Sequence, residues 1–182
     1  MSLDFWKNVS PVNRRIITIV LIFVVIVILS ALATLTPMDK QQATKTNDNL
    51  NQTVNALKAN NALLQYIYGN NFMITIIMFV PFIGPIFGFL VLYNTGVAIE
   101  AEAIARNISP MQTFFSLFLT PIAWLEFAAY STAIAGSIWL SARTLQNMAK
   151  HELANTAKFI AVCAVILLVS AIIESELIYA GL

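Results

Sequence analysis

Glu126 stands in Thr120-Pro121-Ile122-Ala123-Trp124-Leu125-Glu126-Phe127, inside an apolar stretch from about Met111 to Leu140 with no other charged side chain. A carboxyl group there must lie in hydrocarbon or in a protein interior. Either costs several kcal/mol unless the acid is neutral or partnered. Two kinds of chemistry follow. Glu126 could be a proton or cation site, because intramembrane acids mark such pathways. It could instead be a hydrogen-bonding latch between helices, with Tyr93, Asn94 and Tyr130 as the expected partners. A neutral carboxylic acid has an O–H to donate, and the Asn94 amide can accept it. A transporter usually offers more than one buried ionisable group, so the latch is the reading we place first.

Other reactive sets are missing. His151-Glu152-Leu153-Ala154-Asn155 starts like a zinc-protease HExxH, but Asn155 replaces the second histidine and the chain has a single His. That site type is therefore not available, and His151 is expected to be a solvated loop residue. No glycine-rich loop ends in Lys-Ser or Lys-Thr to cradle a phosphate. One cysteine, Cys163, excludes an internal disulfide and thiol ligand sets, and it reads as a packing residue. A carboxylate-only set of Glu100, Glu126 and Glu174 stays open. We expect no enzyme activity, no cofactor and no metal.

The elements that must carry these residues belong to a membrane protein. The 182 residues are 59% hydrophobic and 10% charged, with mean hydropathy +0.78. Soluble domains carry about 25% charged residues. The net charge of +1 gives no nucleic-acid footprint. Ile16 to Leu35 is long enough to cross a bilayer, which takes about 20 residues. Ala31-Leu32-Ala33 looks like a signal-peptidase site, but we expect an uncleaved first transmembrane helix.

Residues 38–71 are rich in Asn, Gln, Thr and Lys. Leu50, Leu57 and Leu64 recur every seven, with Val54, Asn61 and Tyr68 four after each. That is a heptad pattern with a polar Asn in its seam. The favoured reading is an amphipathic helix packed on its own membrane domain. The sharper one is a docking helix for a partner, through Leu50, Val54, Leu57, Asn61 and Leu64.

The second apolar region, Phe72 to Ala98, is interrupted by Val80-Pro81-Phe82-Ile83-Gly84-Pro85. Each proline removes a backbone donor and clashes with the preceding turn. We therefore expect a second span broken at Pro81, Gly84 and Pro85. Beyond it, Gly84, Gly88 and Gly96 share a face, and Gly84 to Gly88 is a GxxxG packing signal. Glu100 follows one turn on, and Glu102 and Arg106 are spaced to pair. In the third region Pro121 should kink the helix before Glu126, and Ala128, Thr132 and Gly136 form a small-residue face. Trp139 fits an interfacial anchor. The fourth span is Phe159 to about Ile178, with Glu174 and Glu176 expected to be solvated near its end. No internal repeat is convincing.

Orientation signals conflict. Lys7, Arg14 and Arg15 favour a cytoplasmic N-terminus. Four crossings would then put Arg143, Lys150 and Lys158 outside, against the positive-inside rule. The sequon Asn51-Gln52-Thr53 is usable only outside and tips the reading to N-terminus inside. Two further sequons, at Asn8 and Asn107, precede Ser-Pro.

Several of these segments are similar to one family. Asn70-Asn71-Phe72, Val80 to Gly88, Tyr93-Asn94-Thr95-Gly96, Pro121 and Trp124-Leu125-Glu126-Phe127-Ala128-Ala129-Tyr130 resemble the stage II sporulation protein M family of integral membrane proteins. Its archaeal branch is the most similar. The likeness covers about residues 70–140 and, loosely, the last helix. It implies an all-helical membrane domain without enzymatic activity. Bacterial members serve as scaffolds in a membrane complex that remodels the cell wall during engulfment, and archaeal relatives lack that wall substrate. Pro121 and Glu126 keep the family spacing, but Ile122 stands where relatives commonly carry His. That removes a His–Glu pair and leaves residues suited to packing and latching.

The expectation is thus an all-α, polytopic membrane helical bundle of about four transmembrane helices. Residues 1–37 would form the N-terminal segment and first helix, 38–71 a polar segment outside the bilayer, and 72–182 the membrane domain. The protein would sit in the cell membrane as a non-catalytic scaffold or accessory subunit. Its partners would be the bilayer and other membrane subunits, with a homo-oligomer as a further option and no nucleic acid. An auxiliary subunit of an archaeal membrane enzyme such as an ammonia monooxygenase is one alternative. A small transporter or channel using Glu126 is another.

Overall fold

The computed structural model describes residues 9–181. Lys7 and Asn8 lie outside the described residues, as does the side chain of His151. The described residues form seven helices and no strand: α1 (Pro11–Ala33), α2 (Lys40–Ala59), α3 (Leu63–Met78), α4 (Ile83–Arg106), α5 (Pro110–Leu117), α6 (Pro121–Leu145) and α7 (Ala149–Ala180). Three stretches are long and apolar enough to cross a membrane: α1, α4 and Glu152–Ala180 of α7. A fourth is the pair α5 and α6, bent by 83°. The chain is an all-helical, multi-pass membrane protein.

The helix ends follow local chemistry. Ser10 caps α1 by accepting from the Asn13 N–H at 3.3 Å, with Pro11 in the first turn. Asp39 caps α2 through the Gln41 N–H at 3.0 Å. Asn61, Asn107 and Asn147 follow α2, α4 and α6 with φ of 50°, 57° and 57°. Asn tolerates this left-handed conformation better than other residues with a side chain and so can end a helix where Gly otherwise would. Asn61 therefore stops α2. The heptad pattern runs across this turn, so it belongs to two helices, and Asn61 is a terminator with no seam role.

Side-chain contacts fix the helix directions. Gly84 lies by Ser137 and Gly88 by Ile134, so α4 runs against α6. Cys163 lies by Ala129 and Ser170 by Ile122, so α7 also runs against α6. Ser30 lies by Leu92 and Ala33 by Gly96, so α1 runs with α4. Asn71 lies by Glu126 and Val80 by Ser137, so α3 runs with α6. The interruption expected in the second region falls at Phe79–Phe82, and there the chain reverses. With 16 residues, α3 is about 24 Å long. It brings the chain back along the bundle before α4 returns. The expected boundary between 71 and 72 falls inside α3.

This hairpin turn is held by α6. Ser137 Oγ donates to the Val80 carbonyl at 2.7 Å, and the Phe82 N–H donates to Ser141 Oγ at 2.8 Å. Buried backbone groups outside a helix need partners of their own, and these two serines supply them. Phe82 has φ 65°, which is costly for a bulky residue. A Cβ on Gly84 would fall on the Met78 carbonyl, so the turn requires glycine there.

One end of the bundle thus gathers the starts of α1, α4 and α7, the end of α6 and the hairpin turn. The other end, the α2 end, holds α2, α5 and the starts of α3 and α6. Pro121 sits in the first turn of α6 and begins the helix; it does not kink one. A proline fits there because the first helical N–H groups have no intrahelical partner. The core contains Ile26, Met78, Leu92, Phe127, Ile134 and Leu167.

Candidate functional site

Glu126 lies in the second turn of α6, at the α2 end. Its Oε1 accepts from Asn71 Nδ2 of α3 at 2.6 Å. The expected partners lie elsewhere. Asn94 is exposed on α4, and Tyr93 Oη is 3.1 Å from Thr36 Oγ1 of the segment after α1. The reason is the face. The contacts of Gly84 with Ser137 and Gly88 with Ile134 carry Asn94 close to the level of Glu126, but it stands on the exposed side of α4, while α3, running with α6, brings Asn71 against the acid. Tyr130, one turn along α6, is buried.

Glu126 lines a cavity of about 250 Å³ between α2, α3, α6 and α7. Glu174 of α7 faces the same cavity, with Asn70 and Asn71 of α3. The sequence reading expected Glu174 to be solvated near the interface. The antiparallel packing of α6 and α7 instead turns it inward, and only that pairing could have revealed it. Leu50, Leu57, Leu63 and Ile178 supply apolar wall. No Lys, Arg or His is among the residues lining this cavity. The arrangement can hold a proton between acids, accept a cationic group, or tie α3 to α6.

Glu100 is apart from this cavity. It is buried on α4, and its Oε2 has no hydrogen-bond partner among the described residues. Among those residues no group of three or more His, Cys, Asp and Glu comes together to hold a metal ion.

The heptad stripe is used internally. Val54, Leu57, Leu64 and Tyr68 pack around Leu63, Ile67, Ala171 and Ile178, which fastens α2 and α3 to the end of α7. Leu50 is exposed at the cavity rim. Lys58 Nζ adds a bond to the Ile178 carbonyl at 2.7 Å and sits over the Tyr179 ring. The opposite side of α2, around Gln41, Thr44, Lys45, Asp48, Asn49 and Gln52, is solvent-facing.

The glycine face expected on α4 is close-packed. Gly88 meets Ile134 of α6, and Gly96 meets Ser30 and Ala33 of α1. On α6 the small-residue contacts fall differently. Gly136 touches Phe79, but Ala128 and Thr132 are half-buried, and the tightest positions are Ala129, Ala133 and Ser137. The reason is that α6 is central and contacts α1, α3, α4 and α7, so its buried surface is no single stripe.

Sequence reasoning missed one pair. Arg15 of α1 makes two bonds to Glu152 of α7, Nη1 to Oε1 at 2.6 Å and Nη2 to Oε2 at 2.7 Å. The Arg15 guanidinium also lies 5.3 Å from the Trp139 ring centre. Trp139, expected as an interfacial anchor, is half-buried there, and its indole N–H has no hydrogen-bond partner among the described residues. No spacing rule links residues 137 apart. Glu102 and Arg106 do pair, at 2.9 Å, and Cys163 is buried against the Ala129 carbonyl.

Fold and site define a multi-pass helical membrane protein with a reversing hairpin and paired acids at one end. The Stage II sporulation protein M family model matches residues 17–177, and the chain belongs to that family. Comparison with curated proteins and with solved structures found no match.

Proposed function

We propose that this protein is a non-catalytic subunit of the cell membrane, an archaeal-type member of its family that acts as scaffold or accessory to a larger membrane assembly. The observation that carries the reading is α2. Its inner side packs along α4 and, near its end, against the apolar cluster of α3 and α7, while its long polar side stands free of the bundle at one end. A helix fixed this way offers other subunits a preorganised surface, and preorganisation lowers the ordering cost of binding. The Glu126–Asn71 bond serves here as a latch that holds α3 against α6.

The N-terminus is proposed to be cytoplasmic. The chain's reversal at the hairpin supports this, because Arg14, Arg15, Arg143, Lys150 and Lys158 then share one end, as the positive-inside rule requires. The conflict in the sequence signals came from counting α3 and α4 as one crossing.

A second reading is favoured by the cavity that Glu126 and Glu174 share. A proton or cation could use this pair, as intramembrane acids do in transporters. Glu126→Gln separates the two. Gln keeps an oxygen to accept from Asn71, so native-gel migration of the gently extracted assembly should be unchanged, and Glu126→Leu should weaken it. Equal loss in both variants would sink the latch. Abolished cation flux with Glu126→Gln in vesicles, with assembly intact, would replace the scaffold reading by transport.

A further inference from the structure

The end of the bundle opposite α2 has an uneven charge. Among the described residues, Arg143, Lys150 and Lys158 stand there with one acid, Glu152, and Arg15 already neutralises that acid through two bonds. The α2 end is the reverse: four bases, Lys40, Lys45, Lys58 and Arg106, face Asp39, Asp48 and five glutamates. Lys150 and Lys158 are exposed, and Arg143 is half-exposed with one bond to Gln146.

Depth matters as well as sign. Lys150 is in the first turn of α7, and Lys158 is eight residues further, about 12 Å along the axis. The apolar span of α7 begins at Glu152, which puts Lys150 just outside it, at headgroup level. Lys158 starts in the apolar layer, and its long stem can carry the ammonium back to the same level. Trp139 lies at this level too, beneath Arg15.

We infer that this end of the bundle is a binding surface for the phosphate of anionic phospholipid headgroups, centred on Lys150, Lys158 and Arg143. The inference extends the proposed orientation, since the cytoplasmic leaflet is the anionic one. Lys contributes point charge and Arg a fork that matches phosphate oxygens. Each juxtamembrane base near an anionic surface changes binding about five-fold.

The test is a titration of the detergent-solubilised full chain with short-chain phosphatidylglycerol and, separately, phosphatidylcholine, with adducts counted by native mass spectrometry. Phosphatidylglycerol should bind in preference. Lys150→Gln with Lys158→Gln should weaken it by about 25-fold, while Lys45→Gln at the α2 end should leave it unchanged. Equal binding of the two lipids would overturn the surface, as would an equal loss with Lys45→Gln. Displacement by inorganic phosphate at matched concentration would also overturn it, because the site would then take free phosphate. Labelling of Lys150→Cys from outside intact cells by an impermeant maleimide would overturn the orientation and not the headgroup surface, which the titration alone decides. Cys163 is buried and contributes no background to that labelling.

Discussion

Two glycines should respond oppositely to the same added methyl group. Gly96 sits where α4 crosses α1. A Cβ there would stand 2.6 Å from Ala33 Cβ and would also strike the Ser30 carbonyl oxygen. Carbon atoms in good contact lie about 3.5–4.0 Å apart, so α1 and α4 must separate by roughly 1 Å. That separation also stretches the Ser30 Oγ bond to the Leu92 carbonyl, 2.9 Å in the native protein. Overpacking of this kind costs about 1–3 kcal/mol. Replacing a helical glycine by alanine returns up to about 1 kcal/mol. Gly96→Ala should therefore be destabilised by about 1–2 kcal/mol. Gly69 is on the exposed side of α3, and a methyl group added there would meet nothing within 4 Å, so Gly69→Ala keeps only the gain. At about 2–4 °C per kcal/mol for a chain of this size, Gly96→Ala should melt about 2–8 °C lower and Gly69→Ala about 1–4 °C higher. Cys163 is a built-in reporter: it is fully buried between α6 and α7, so a fluorogenic maleimide reacts only when the bundle opens. Adding Ala33→Gly to Gly96→Ala should recover part of the loss, because the Ser30 carbonyl remains in the way. Equal melting of Gly96→Ala and Gly69→Ala would refute the close crossing of α1 and α4.

Other substitutions probe the ends of the bundle. Arg15→Gln strands the Glu152 carboxylate, whose side chain is 4% exposed, and should cost about 3–5 kcal/mol. The double change Arg15→Gln with Glu152→Gln should recover most of that by thermal unfolding, and no recovery would mean that Arg15 acts mainly through Trp139. Leu57→Asp places a charge among Val54, Leu63 and Ile178 and should loosen the end of α2 that is not packed on α4, seen as faster proteolysis within residues 50–59 while Cys163 stays protected. Cleavage at the wild-type rate would show that α2 is held by other contacts. Asn61→Ala forces a β-carbon without a compensating polar side chain into φ 50° and should lower stability by about 1 kcal/mol, whereas Asn61→Gly should be neutral or better in the same melting assay.

Composition and local pattern determined much of this protein. Long apolar runs with few charges require helices in a bilayer, since each backbone polar group must find its partner within its own segment. The break near Pro81, the glycine face of α4 and the need of Glu126 for a partner were legible for the same local reason: proline, glycine and a lone carboxyl group carry their cost wherever they are put. The Glu102–Arg106 pair was legible because both residues lie on one helix. What the break does to the chain was not legible. Proline marks an interruption but not the direction of the next helix, and that direction is set by Ser137 and Ser141 of α6, more than fifty residues away. From it follow the partner of Glu126, which is Asn71 and not Asn94, the shared end of the basic residues, and the meeting of Arg15 with Glu152. The inward turn of Glu174 depends likewise on how α7 packs against α6. Sequence spacing reports neighbours on one helix; which helices stand side by side, and which way each runs, is decided only when all of them bury their faces together.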